Sequence, residues 1–230
     1  MRERSALGIP SMTKNEFGFS LVELLVSIAI LAIIAGVLVP VVSNVRYKAL
    51  QAESGSNLRT ISTAMHLYSS DNDGELPRLR DKTEGGQPWS GLWPEKMQPY
   101  LGTFVDNRSP DIFFDPLAEV SHPRLSDFGA NDLLFVNDPE AEAYNLARLR
   151  EPSRTVILAQ AKEKGDGDWR GTWYFRARHF IESGDGTNLA QPTDRDTGVI
   201  MYSHADGSVS EEQWDVFLAQ REKLLDPDYQ

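Results

Sequence analysis

Cysteine is absent from all 230 residues, which excludes disulfides, thiolate metal sites and a cysteine nucleophile. Any folded part of the chain is therefore held by its core, with or without a bound cation. Basic residues are outnumbered, 23 Lys and Arg against 34 Asp and Glu. At a net charge of −11 and a sequence pI near 4.8, the basic surface that neutralises phosphate is missing, so no nucleic-acid partner is expected. Catalytic signatures are missing too: the sequence contains no Gly-x-Ser-x-Gly, no His-Glu-x-x-His and no phosphate-cradling glycine loop. Ser203, His204 and Asp206 lie too close along one strand to form a triad, because adjacent strand side chains point to opposite faces. His179 with Glu182 could ligate a metal, but a surface pair is the plainer reading. The chain is expected not to be an enzyme.

One stretch lacks charge altogether. From Leu24 to Val39 the residues are Leu, Val, Ile and Ala, broken only by Ser27 and Gly36. Between Phe19 and Pro40 the only ionisable side chain is Glu23. As a helix rising about 1.5 Å per residue, this segment is about 33 Å long, enough to cross a hydrocarbon core about 30 Å thick. A charge at the centre of such a helix costs roughly 2.5–3.5 kcal/mol on insertion scales, so an intramembrane glutamate points to function. A secretory signal peptide fits worse, because its apolar core runs only about 7–15 residues and ends at a small-residue cleavage site. An ordinary signal anchor with a stray glutamate leaves the spacing of Gly18, Phe19 and Glu23 unexplained.

The stretch Gly18-Phe19-Ser20-Leu21-Val22-Glu23-Leu24-Leu25 resembles the processing and methylation motif of type IV pilins and type II secretion pseudopilins. The resemblance implies cleavage between Gly18 and Phe19 by a prepilin peptidase and methyltransferase, with N-methylation of the new N-terminal Phe19. Glu23 then stands fifth in the mature chain, where the family has an assembly glutamate, and Pro40 stands where many members carry a proline. It also implies a single-pass protein of the inner (cytoplasmic) membrane, its head on the periplasmic or extracellular side. Such a subunit assembles with like subunits or other pseudopilins into a type IV pilus or a type II secretion pseudopilus, for protein secretion in the second case. The alternative is a membrane-anchored binding domain whose head takes a ligand in the Trp89–Trp93 region, the stem acting only as an anchor.

The expected division is a leader over 1–18, a helix over 19–70 crossing the membrane over about 19–40, and a globular head over 71–230. Met12 is an alternative start. Orientation rests on the motif, because Arg46, Lys48 and Arg59 follow the span and weaken the charge rule. Beyond Pro40, which is expected to kink the helix, the apolar positions thin to one stripe: Val42, Val45, Ala49, Ala52, Leu58, Ile61, Met65 and Tyr68. Steps of mostly three or four describe an amphipathic helix face. Asp71-Asn72-Asp73-Gly74 then reads as a turn; an EF-hand frame fails because Arg80 falls where a bidentate glutamate is required. A short helix is expected near Glu95–Leu101.

Strands are expected at Asp111–Phe114, Thr155–Ala159, Thr172–Ala177 and Gly198–Tyr202, each rich in β-branched or aromatic residues and bounded by turn formers. A helix is expected over Glu140–Arg150 after Asp138-Pro139. A last helix is expected to be capped by the box Ser210 to Gln213, with Trp214, Phe217, Leu218, Arg221 and Leu225 facing inward. The predicted fold is α+β: a long N-terminal helix, transmembrane in its first half, packed on a small antiparallel-sheet head, pilin-like. Arg195–Val209 also resembles the terminal hairpin region of many prepilin-like proteins, with Asp196 where those carry His and Asp115 where a Cys is common. Pro152–Ala159 and Phe128–Asn131 resemble further landmarks. No cofactor is expected apart from calcium: Asp166, Asp168, Asp185, Asp194 and Asp196 offer hard oxygen ligands on glycine-rich loops, although solvated acidic turns are the favoured reading of the same residues.

Overall fold

A computed structural model describes residues 20–81, 91–102, 109–118, 126–138, 141–164, 169–183 and 190–229. The chain divides into two compact units, residues 1–47 and 48–230. The long helix α1, Leu21–Asp71, has residues in both, and it is helical without a break through position 40.

In the first unit every described side chain from Ser20 to Val39 is exposed, among them Leu21, Leu25, Ile30, Ile33 and Leu38. Apolar side chains left open to water along a whole helix need another apolar environment, and α1 is long and apolar enough to cross a membrane.

In the second unit, residues 48–71 of α1 cover one face of a mixed sheet. The strands are β1 (Phe128–Asn131), β2 (Val156–Lys164), β3 (Trp169–Gly171), β4 (Tyr174–Phe175), β5 (Gln191–Pro192), β6 (Val199–His204) and β7 (Val209–Gln213). Their order is β4-β1-β2-β6-β7, and the far half of β2 also pairs β3 and β5. The head is therefore α+β as expected, but its sheet is not wholly antiparallel: β1 and β4 run parallel, Ala130 opposite Tyr174 and Asn131 opposite Phe175. This pairing needs a close approach at Gly129, where an added Cβ would lie 2.6 Å from Ala161 Cβ and 3.0 Å from the Tyr174 carbonyl carbon.

Two apolar layers result. On one face Leu58, Ile61 and Met65 of α1 pack with Trp93, Phe113, Phe128, Phe135, Leu158 and Met201. On the other, Val156, Ala159, Phe175, Ile200 and Tyr202 pack with Phe180 of α4 (Ala177–Ser183) and with Phe217, Leu224 and Leu225 of α5 (Trp214–Leu225). Strand β6 shows the period of two: Ile200 and Tyr202 face α5, and Met201 faces α1. Each large apolar side chain so buried contributes roughly 1.5–3 kcal/mol.

Several local expectations are corrected. The buried row of α1 is Ser54, Leu58, Ile61, Ser62, Ala64, Met65 and Ser69, whereas Val42, Val45, Ala49 and Ala52 are exposed. Buried serines among the apolar residues shift the stripe. Asp111–Phe113 is a 3-10 turn, not a strand. The Glu140–Arg150 helix is replaced by a 3-10 turn, Leu146–Arg148. There the backbone bonds elsewhere: Leu76 N–H donates to the Tyr144 carbonyl and Leu146 N–H to that of Gly74, so tertiary pairing displaces the helix.

The short helix near Glu95–Leu101 is two single turns, α2 (Trp93–Lys96) and α3 (Gln98–Leu101), each with a proline in its first two positions. Thr172–Ala177 contributes only the two-residue β4 before α4 begins. Ser210 does not cap the last helix. It lies in β7 and its hydroxyl bonds His204 Nε2 at 2.9 Å, while the first N–H of α5, on Trp214, donates to the Gly198 carbonyl. The 71–74 turn is present, with Asp73 and Gly74 at φ 53° and 85°.

Candidate processing and assembly site

Gly18 and Phe19, the expected cleavage pair, lie outside the described residues. The described site begins at Ser20. Leu24 N–H donates to the Ser20 carbonyl at 3.2 Å, Val22 N–H donates to Ser20 Oγ at 3.3 Å, and Ser20 N–H donates to Glu23 Oε2 at 3.0 Å. Ser20 is thus the N-cap of α1, its hydroxyl taking the second helical N–H, and Glu23, the third helical residue, returns a bond to the cap's own N–H as in a capping box. One turn on, Ser27 Oγ–H donates to the Glu23 carbonyl at 2.7 Å, so that hydroxyl does not add an unpaired polar group to the apolar run. The Ser-x-x-Glu spacing signals this cap in the sequence. It is hidden there because the same glutamate already belongs to the processing motif.

In the head, the departure at position 115 pairs with Arg195, the residue just before the departure at position 196. Asp115 is buried, and its Oδ2 accepts from Arg195 Nε at 3.1 Å and from Gln160 Nε2 at 2.8 Å. Arg195, the neighbour of Asp196, also donates through Nη2 to the carbonyls of Asp127 and Ala161 at 2.9 and 3.1 Å. Gln160 accepts from Met201 N–H at 2.8 Å and donates to Ser54 Oγ at 3.3 Å. One buried network therefore joins α1, the 109–118 segment, β2, β6 and the 193–198 turn. Arg195 and Asp196 both adopt left-handed backbone, φ 54° and 58°; such conformations are costly for residues other than glycine and persist where the surroundings over-determine them. The turn drives the Arg195 side chain inward, 6 % exposed, and leaves that of Asp196 outward, 94 % exposed.

Of the acidic calcium candidates, Asp166, Asp168 and Asp185 lie outside the described residues. Asp194 accepts from the N–H groups of Asp196 and Gly198 at 3.2 and 3.1 Å, and Asp196 stands 3.8 Å from Lys162 Nζ. Asp194 is thus taken up by N–H groups of its own turn, and Asp196 points to solvent beside Lys162. Among the described residues no group of three or more His, Cys, Asp or Glu is placed to hold a metal ion. Beside them a cleft of about 240 Å³ is lined by Lys162, Phe180, Gln191, Thr193, Trp214 and Leu218. Trp93, half of the expected aromatic platform, is fully buried between Phe113 and Phe135, and its ring N–H donates to the Trp173 carbonyl. It is a core anchor; Trp89 lies outside the described residues.

In the hairpin of β6 and β7, Asp206 accepts from the Ser208 hydroxyl and N–H at 2.6 and 2.9 Å. The hydroxyl bond holds its carboxyl below the usual carboxylate range. Asp132 is the opposite case: burial raises its carboxyl, partly offset by Ala177 N–H at the start of α4. Neither lies near the N-terminal site in sequence, and each is accounted for by its turn.

Residues 13–39 match the family described as the prokaryotic N-terminal methylation motif. The match spans Gly18, Phe19, Glu23 and the apolar run, and it supports a type IV pilin or pseudopilin-type precursor. The long apolar helix followed by a small mixed-sheet head is a pilin-like architecture, and the apolar helix suits membrane anchoring. No curated protein and no solved structure matches the chain.

Proposed function

We propose that the chain is the precursor of a structural filament subunit. A prepilin peptidase and methyltransferase cuts between Gly18 and Phe19 and methylates the Phe19 amine. The product sits in the inner membrane as a single-pass protein with its head on the periplasmic or extracellular side. It then leaves lipid for a bundle of like helices in a type IV pilus or a type II secretion pseudopilus. The chain carries out no reaction of its own; it is the substrate of processing. Assembly by this route needs no covalent chemistry: helices associate in an apolar medium by close packing and by pairing the polar groups that lipid disfavours.

The observation that carries the reading is the coincidence of the methylation-motif match, at 13–39, with a helix whose described side chains are exposed and apolar and whose only charge there is the capping Glu23.

Substitution at the cut tests it. Glycine has no side chain, so its backbone fits closely against a peptidase site where a larger residue obstructs. Gly18→Leu is expected to leave the uncut precursor in the membrane, seen on an immunoblot as a band of precursor mass. Cleavage of Gly18→Leu at the wild-type rate would contradict the assignment.

A further inference from the structure

We propose that Ser20 is the positioning residue for Glu23: the cap that starts α1 also aims the carboxylate that a second copy of this chain binds. This rests on the assembly reading above. The first N–H groups of any helix have no partner within it, and hydrocarbon supplies none. Here the Ser20 hydroxyl takes Val22 N–H and the Glu23 carboxylate takes Ser20 N–H.

The side chain of Glu23 is thereby folded back toward the start of the chain. Only Oε2 is engaged; Oε1 has no partner among the described residues. Cleavage after Gly18 puts the new α-amine on the residue immediately before Ser20, at the end toward which the carboxylate is turned. The ammonium of a second copy then meets an acceptor already oriented, with one oxygen bound and one presented. A glutamate without the cap would lose rotamer freedom on docking, and preorganisation removes that cost. Ser20 touches no partner itself; it acts through Glu23.

The test uses the full chain and separates cap from charge. Ser20→Ala deletes the hydroxyl, Ser20→Thr keeps a capping oxygen, and Glu23→Gln keeps the acceptor for Ser20 N–H without the charge. Three quantities are read: the intact mass of the processed subunit, exchange protection of the Ser20 and Val22 amides in detergent micelles, and the fraction of processed subunit recovered in sheared filaments. Ser20→Ala is expected to mature normally, to lose protection at Val22, and to lose about five-fold in assembled fraction, the factor by which deleting an N-cap usually weakens the capped helix end. Ser20→Thr is expected to restore both to within about two-fold. Glu23→Gln is expected to keep the Ser20 amide protected and yet to assemble poorly.

Wild-type assembly by Ser20→Ala with a deprotected Val22 would show that the cap does not position the charge. Unchanged protection in Ser20→Ala would show that the hydroxyl cap is not formed. A loss that Ser20→Thr does not rescue would assign Ser20 to packing and overturn the proposal. A wild-type subunit that is never cleaved would instead remove the assembly reading on which the proposal stands.

Discussion

Replacing Asp115 by alanine is expected to destabilise the head by about 3–5 kcal/mol, the usual cost of removing one partner of a buried ion pair. The Asp115 side chain is fully buried and that of Arg195 is 6 % exposed. Without the carboxylate, the guanidinium keeps two backbone carbonyls and loses its counter-charge, and Gln160 loses one of its hydrogen-bond acceptors. A domain is stable by only about 5–15 kcal/mol, so the loss is a large share of the total. The left-handed turn at Arg195 and Asp196 is held from inside by the same guanidinium, and it is expected to loosen with it. Pairing Asp115→Leu with Arg195→Met is expected to recover much of the loss, since well-packed apolar pairs often replace buried ion pairs without penalty. Urea unfolding followed by tryptophan fluorescence measures both. A loss below about 1 kcal/mol for Asp115→Ala would mean the pair does not hold the head.

Removing the charge at position 23 is expected to separate processing from assembly. Glu23→Val makes the span wholly apolar, so insertion is expected to be at least as favourable as in the wild type, and cleavage between Gly18 and Phe19 is expected to proceed. Cleavage leaves Phe19 with an α-amine, whose reference pKa of roughly 7.7–8.0 keeps it largely protonated at neutral pH. In the bundle proposed above that cation is expected to pair with a Glu23 carboxylate, its own or a neighbour's. With valine in its place an unpaired charge is carried into an apolar interior, and the assembled fraction is expected to fall on the order of tenfold or more. Filament yield, or secretion for a pseudopilus, is compared with the amount of processed subunit. Glu23→Asp is expected to be partly tolerated, keeping the charge on a shorter arm. Normal assembly by Glu23→Val would show that the buried charge does not direct docking, and the simple anchor would then be the better account.

The N-terminal methylation motif was legible in the sequence because its signals are local. Gly18, Phe19 and Glu23 stand at fixed spacing, and the absence of charge from Leu24 to Val39 needs no tertiary knowledge to interpret. The strands at 156–164 and 199–204 were legible for the same reason, as β-branched runs between turn formers. What escaped depends on partners distant in the chain. Phe128–Asn131 is a strand because Gly129 lets β1 sit tightly between Ala161 and Tyr174, and because Asn131 reaches the carbonyls of Val156 and Leu225. Nothing in four residues announces that.

The 141–148 segment has the capping signals of a helix and is drawn instead into pairing with Leu76 and Gly74. Ser210 heads a sound capping pattern but lies in a hairpin, where its hydroxyl meets a histidine six residues back. The buried ion pair is the clearest case: Asp115 and Arg195 are 80 positions apart, and each by itself reads as a surface charge.

Processing at Gly18 would leave its mark in the chemical state of the chain's own N-terminus. Intact-mass spectrometry of the protein extracted from the membrane of its native host reads that state in one step. The predicted species begins at Phe19 and carries one added methyl group, with the methyl placed on Phe19 by fragmentation. A mass that retains Gly18, whether the chain starts at Met1 or at Met12, would contradict processing at this motif and with it the filament-subunit reading.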